Sequence, residues 1–296
     1  MEPAVEVPTR RVVVPFLENL LFRAQPVLDH GFVRVIDYMG DDSAVVTAAR
    51  VSRGPNAAPT QEDRALIRYL IRHDHTSPFE MCELKLHVKL PLFVARQWIR
   101  HRTASVNEQS GRFSVLGSDY YLPETETIAA QSSTMRQGRG DRLDDEEAQA
   151  VLQTIRRVSN GAYEDYQALL NDEPRVSSKR GAARELARIV LPLNFYTEWY
   201  WKIDLHNLLH FLELRLSSTA QVEIREYARL VATIVAGWVP MTYEAFTDYR
   251  IDGLKLSRGA VRALKRALAG DLEGAPKSGL SKGEWNELAE MFNLPR

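Results

Sequence analysis

The sequence predicts a chain that mixes helices and strands without alternating them. Three observations carry this. Residues 81–90 alternate, with Cys82, Leu84, Leu86, Val88 and Leu90 apolar and Glu83, Lys85, His87 and Lys89 polar, the period of two of a half-buried strand. Residues 144–169 and 222–238 instead carry apolar side chains at three- and four-residue spacing, the period of an amphipathic helix. There is no βαβ alternation and no Gly-x-Gly-x-x-Gly after a strand, so a Rossmann cofactor site is not expected.

Taken in order, residues 1–30 are dotted with proline and weakly patterned. Leu17, Leu20, Leu21 and Phe22 suit a short helix, and residues 1–31 are expected to be an N-terminal extension. Residues 32–39 read as a strand. Residues 43–50 read as a short helix capped by Asp42 or Ser43 and broken by Gly54 and Pro55. A second helix starts near Thr60 with acids in its first turn and continues through Leu66, Ile67, Leu70 and Ile71. Pro91 ends the strand of residues 81–90 and suits the first position of a helix over residues 92–99.

Residues 100–112 have neither period. Tyr120 to Pro123 read as the end of a strand, and residues 124–142, polar and poor in apolar side chains, as a loop. Asp144, Asp145, Glu146 and Glu147 suit the N-terminus of the long helix. Residues 178–190 read as a helix that must stop before Pro192. Phe195, Tyr196, Trp199, Tyr200 and Trp201 mark residues 193–203 as a buried strand, and Asp204 can cap a helix running to about residue 217. After residues 222–238, short helices are expected over 241–249, 257–268 and 282–292. Residues 251–296 are read as a C-terminal helical extension.

The chain has 296 residues, 45% of them hydrophobic, so it can bury a sizeable core. A formal net charge of −1 and a pI near 6.7 argue against a general nucleic-acid binder, which carries a broad basic excess. No apolar run reaches the length of about 18 residues that a membrane span needs. The start, Met1-Glu2-Pro3, lacks the basic head and apolar core of a signal peptide. The single cysteine, Cys82, excludes an internal disulfide and falls on the apolar phase of its strand, facing the core. The expectation is a soluble cytoplasmic protein.

Against this near-neutral background, Arg100, Arg102 and Arg112 lie close together with only Glu108 to oppose them. Ser105, Ser110, Asn107, Gln109 and His101 lie between, and Gly111 lets the backbone come close to a ligand. Guanidinium forks fit phosphate oxygens in pairs, so the stretch reads as an anion site, most simply for a nucleotide phosphate. The alternative is an arginine cluster paired with carboxylates elsewhere in the chain. Ser110 is a conceivable nucleophile, but no base is visible that would activate it, which leaves it a binding role.

Two other clusters can be read as metal sites or as plain structure. His73, Asp74 and His75 follow a helix end, where the dipole favours histidine anyway. His206, His210 and Glu213 share one helix face. Together they allow a metal-dependent nucleotide phosphohydrolase that uses His73, Asp74, His206 and His210. A third reading takes residues 100–112 as a basic strip binding RNA, with a steep salt dependence.

One resemblance is specific. Arg100-His101-Arg102, seven residues, then Ser110 is similar to the signature of the flavin-dependent thymidylate synthases. His73-Asp74-His75-Thr76-Ser77-Pro78-Phe79-Glu80 resembles a segment upstream of that signature. Ala187-Arg188 with Leu191-Pro192, and Leu214-Arg215, resemble segments downstream. The likeness spans about residues 32–249. It implies an α+β fold, an antiparallel sheet with helices packed on it, in a domain of residues 32–250. It implies methylation of deoxyuridylate (dUMP) to thymidylate (dTMP). Methylenetetrahydrofolate gives the carbon, reduced FAD gives the hydride, and NADPH reduces the flavin again. It also implies a homotetramer with shared sites, no nucleic-acid or membrane partner, and no metal.

By the same resemblance, dUMP is held by Gln97, Arg100, Glu108, Gln109, Ser110, Gly111, Arg112, Arg188 and Arg215. Arg215 and Ser110 lie at the chemistry. FAD is held by Ser52, His75, Ser77, Glu80, Arg100, His101, Arg102, Thr103, Glu108, Asp204, His206 and His210. At Asp204, His206 and His210 the chain departs from well-known members, which carry asparagine and arginine there.

Overall fold

The protein is described from a computed structural model, which covers residues 10–51, 61–133, 138–170, 180–270 and 278–294. Its centre is a five-stranded sheet in the order β1-β2-β3-β7-β4. The strands are β1 (Ala24–Val27), β2 (Gly31–Met39), β3 (Glu83–Pro91), β7 (Tyr196–Asp204) and β4 (Ser105–Glu108). Every neighbouring pair is antiparallel. With helices packed on this sheet, the class is α+β.

The alternation in β3 does what its period requires. Leu84, Leu86, Val88 and Leu90 are buried, as are Val33 and Val35 of β2 and Trp199, Trp201 and Ile203 of β7. That face is covered by α4 (Leu92–Trp98), α7 (Leu205–Arg215) and α8 (Val222–Trp238). The other face carries polar side chains laced together across strands. His87 Nδ1 meets Arg34 Nη1 at 3.1 Å, His87 Nε2 meets Glu198 Oε2 at 2.9 Å, and the imidazole stacks on Tyr200. Lys202–Glu83 and Lys89–Asp119 pairs continue the pattern.

Several expectations need correcting. β1 lies in the segment read as weakly patterned; it is held by pairing with β2, a non-local source of order. The first helix there is only α1 (Pro15–Glu18). The cap of α2 (Asp42–Arg50) is Asp41, whose carboxylate accepts from the N–H of Ser43 and Ala44. Asp42 is buried instead, accepting from the N–H of Met241 and Thr242 and from the Thr242 hydroxyl, and so caps the distant α9 (Pro240–Phe246).

Residues 105–108 form β4 although all four are exposed. Tyr120 makes only a single bridge to Phe195. The expected loop of residues 124–142 contains a two-stranded ribbon, β5 (Ala129–Gln131) with β6 (Arg139–Arg142). Of the helix expected over 178–190, α6 (Arg184–Ala187) and a 3₁₀ turn at Arg188–Val190 are present, while 171–179 lie outside the described residues.

The remaining helices agree closely with their periodicity: α3 (Gln61–Arg72), α5 (Asp145–Leu170), α7 and α8. Asp204 caps α7 as its position predicts, accepting from Asn207 N at 2.9 Å. Two compact units divide the chain, Met1–Phe246 and Thr247–Arg296. In the second, α10 (Arg258–Leu268) and α11 (Lys282–Phe292) pack through Ala260, Ala263, Trp285, Leu288 and Ala289. Ser257 caps the first, and a reciprocal Ser281–Glu284 box caps the second.

Candidate active site

The arginine-rich stretch follows α4, and α4 is anchored by Trp98. That ring is buried against Trp199, Trp201, Phe211 and Tyr227. The chain leaves the helix with His101 N donating to Trp98 O at 3.0 Å. It then returns to the sheet as β4, where Glu108 Oε1 accepts from Thr197 Oγ1 at 2.8 Å and Gln109 N donates to Glu198 O at 2.8 Å. A tight turn follows, in which Ser110 O accepts from the N–H of Phe113 and Ser114. A binding loop is thus held at both ends by rigid elements.

Two clusters form around it. In the first, Arg215, in the last turn of α7, donates through Nη2 to the carbonyl of Gln97 at 2.9 Å, across a separation of 118 residues. Its Nε is buried and makes no hydrogen bond among the described residues. Burial pulls the guanidinium below its ordinary pKa. His101 lies edge-on to Phe211 (4.9 Å between centroids) and to His210 (5.7 Å). Burial first, then the charge of Arg215 and of His210, lowers the imidazole pKa to about 4. His101 is therefore neutral near pH 7 and offers one donor and one acceptor.

In the second cluster, Gly111 is packed so tightly that a β-carbon there would stand 3.2 Å from Arg188 Cδ and 3.3 Å from Leu116. Gly111 thereby brings Arg188 beside the turn. Arg112 Nε pairs with Glu185 Oε2 at 3.1 Å. Both side chains are mostly exposed, and such a pair contributes on the order of 0.2–1 kcal/mol, so an incoming anion can displace the carboxylate. Arg112 thus meets the alternative of pairing with a carboxylate elsewhere. Arg100 and Arg102 do not: both are exposed, and neither pairs with a carboxylate among the described residues. Ser110 Oγ accepts from Arg112 N at 3.3 Å, and among the described residues no histidine or carboxylate bonds to it.

Comparison with known proteins decides between the readings. The family described as thymidylate synthase complementing protein matches residues 34–241. A flavin-dependent thymidylate synthase of Ruegeria pomeroyi is 56% identical over 285 residues, covering 96% of this chain and 93% of the relative. One of Rickettsia bellii is 53% identical over 289 residues, covering 96% and 98%. This chain belongs to the flavin-dependent thymidylate synthases. A UMP/dUMP methylase, PolB of Streptomyces cacaoi, solved with 5-Br UMP, superposes with a TM-score of 0.66 at 35% identity, covering 75% of this chain and 95% of that one.

In this flavin-dependent thymidylate synthase the other site candidates fall as follows. His75, Ser77 and Glu80 are exposed, around the 3₁₀ turn Phe79–Met81 that packs near α7. His75 and His73 both lie against the ring of Tyr69. Thr103 and His210 are exposed and His206 is half-buried. Asp204 spends both carboxylate oxygens on Asn207, one on its N–H and one on its side-chain amide at 2.7 Å. Ser52 lies outside the described residues. Among the described residues no group of three or more His, Cys, Asp or Glu could hold a metal ion.

Sequence reasoning missed four neighbours of the site: Glu185 opposite Arg112, Phe211 against His101, and Gln221 with Glu223 behind Gln97. The first two are long-range contacts that no local pattern encodes. Glu223 reads in sequence as an ordinary acid in the first turn of α8, where the helix dipole favours one, so its burial had no signal.

Proposed function

We propose that this chain is a thymidylate synthase that methylates dUMP to dTMP, with methylenetetrahydrofolate as carbon donor, FAD as the flavin and NADPH as its reductant. The observation that carries the reading is the Arg100-His101-Arg102…Ser110 stretch, set between a half-buried, anchored Arg215 and the Gly111–Arg188 contact, in a chain of this family. Arg112, Arg188 and Ser110 grip the phosphate, with Glu108, Gln109 and Gly111 shaping the turn. Arg215 lies beside the uracil ring, where its desolvated cation stabilises negative charge as the ring carbon becomes nucleophilic.

The residues present fit a flavin dinucleotide. Exposed guanidiniums at Arg100 and Arg102 suit its pyrophosphate. His75, Ser77, Thr103 and the neutral His101 offer donors and edges to the rings, and Glu80, Asp204, His206 and His210 border them. When bound and reduced, FAD supplies the hydride that completes the methyl group, so the folate leaves as tetrahydrofolate. The protein supplies position and charge. We infer a homotetramer with shared sites as the active species; a fully active monomer in light scattering would refute it.

The test uses the purified protein incubated with FAD. The chromophore released on denaturation should be FAD. dUMP, methylenetetrahydrofolate and NADPH should then give dTMP and tetrahydrofolate. Failure to bind any flavin, or dihydrofolate as the product, overturns the proposal.

Cys82 provides a second check. A thymidylate synthase of the flavin-free kind needs a cysteine nucleophile, and this chain has one cysteine. Cys82 is buried, its Sγ 3.5 Å from Asp41 O. Burial, with Asp41 and Asp42 nearby, pushes the thiol up to about 12. A thiol so protonated is a small hydrophobe, not a nucleophile. Cys82→Ala is expected to keep most of the turnover, with some stability lost to a small cavity. A folded but inactive Cys82→Ala protein would show that the mechanism is wrong.

A further inference from the structure

A buried carboxylate stands behind Gln97. Glu223, in the first turn of α8, is 2% exposed. Its Oε1 accepts from the Tyr121 hydroxyl at 3.3 Å and from the Arg139 guanidinium, and its Oε2 accepts from Gln221 Nε2 at 2.8 Å. Gln221 Oε1 accepts from Gln97 Nε2. Gln97 is in turn the residue whose carbonyl anchors Arg215. Favouring the helix dipole needs only an exposed acid; it does not account for a carboxylate buried under three converging donors.

The direction of this relay is forced. A carboxylate held against an arginine only accepts. Gln221 must therefore turn its amide nitrogen to Glu223, which leaves its oxygen for Gln97. Gln97 must answer with its own nitrogen. Its Oε1, which accepts no hydrogen bond from the described residues, is left for a ligand. The two ends of an amide have nearly the same shape, so without an acceptor-only anchor either could be presented.

We propose that Glu223, acting through Gln221, is a positioning residue that fixes Gln97 as a hydrogen-bond acceptor for the N3–H of uracil, and so selects uracil over cytosine. This rests on the reading of Gln97 and Arg215 as nucleotide contacts. A phosphate dianion or a ring carbonyl has no proton to give an amide oxygen; uracil N3 has. The uracil edge runs acceptor, donor, acceptor. A donating Arg215 and an accepting Gln97, locked together by the bond from Nη2 to the Gln97 carbonyl, are its complement. Cytosine carries a lone pair at N3 and would meet Gln97 Oε1 acceptor to acceptor, a repulsive element of the kind that specificity needs.

Calorimetric affinities of the full-length, flavin-loaded protein for dUMP and for deoxycytidylate test this. Gln221 is exposed, so Gln221→Ala should fold. It is expected to narrow the ratio of the two affinities by about tenfold or more, since one hydrogen bond changes sign. Glu223→Gln, which can donate as well as accept, should narrow the ratio too, with its melting temperature reporting whether it is folded. An unchanged ratio in Gln221→Ala overturns the relay, whatever happens to overall affinity. Gln97→Ala separates the two possible failures. If it leaves dUMP affinity unaltered, Gln97 is no nucleotide contact and the proposal falls with that reading. If it weakens dUMP while Gln221→Ala keeps the ratio, only the relay falls.

Discussion

Arg215→Ala is expected to lower kcat by about 10²–10³-fold, the cost of removing one donor aimed at developing charge, and to weaken dUMP binding by much less. The guanidinium is held by Nη2 on the Gln97 carbonyl at 2.9 Å, and its Nε is buried without a partner among the described residues. Holding a cation there costs desolvation, which is why burial lowers its pKa. The same desolvation strengthens its field at the ring, because Coulomb energy scales inversely with the effective dielectric. Negative charge that appears only in the transition state gains most from such a group.

Arg112→Ala should behave in the opposite way. Its side chain is exposed and exchanges one carboxylate, Glu185, for a phosphate. A hydrogen bond to a charged group is worth about 1.5–3 kcal/mol, so dUMP affinity should fall about 10- to 100-fold with kcat nearly intact. Calorimetry and steady-state kinetics on both variants separate the roles. Equal losses in affinity and kcat at Arg215 would reduce it to a binding residue, and unchanged affinity at Arg112 would remove it from the phosphate site. Arg215→Lys should recover only part of the turnover, since an ammonium lacks the fork that can hold Gln97 and still face the ring.

What could be read from the sequence was whatever repeats locally. The strand over residues 81–90 and the helices at 145–170 and 222–238 announce themselves because burial on one face imposes a period. What escaped depends on partners far along the chain. β1 and β4 are four-residue edge strands, too short to declare a period, and are held by β2 on one side of the sheet and β7 on the other. Asp41 and Asp42 are adjacent and chemically alike; only the arrival of α9 near Asp42 decides which of them caps α2.

The site divides in the same manner. The arginines could be found because guanidinium chemistry is written in the residue type. That Arg112 rests on Glu185, and Gln97 on Gln221 and Glu223, could not, because both are settled by tertiary contacts. The carboxylates that an arginine cluster would be paired with, were it purely structural, are present for Arg112 and missing among the described residues for Arg100 and Arg102.

Trp98→Ala is expected to cost about 3–5 kcal/mol of stability, the range for emptying a fully buried aromatic site. Trp98 is the hub of the aromatic cluster, with ring centroids at 6.0 Å from Trp199, 5.1 Å from Trp201, 4.7 Å from Phe211 and 5.9 Å from Tyr227. It joins α4, α7, α8 and β7 at one point, so no single neighbour can move to fill the hole without leaving another. Yet among the described residues its Nε1 is buried without a hydrogen bond, as are those of Trp199 and Trp201. Shape, and not polarity, is what the ring contributes. Trp98→Phe keeps a ring and removes an unsatisfied N–H, which is itself a cost in the folded state, so it should lose under about 1.5 kcal/mol. Urea unfolding of the two variants measures the difference; similar losses in both would mean that the aromatic cluster does not anchor α4. Because His101 N rests on Trp98 O and Arg215 on the carbonyl next to it, Trp98→Ala should also raise the KM for dUMP, while Trp98→Phe leaves it near its original value.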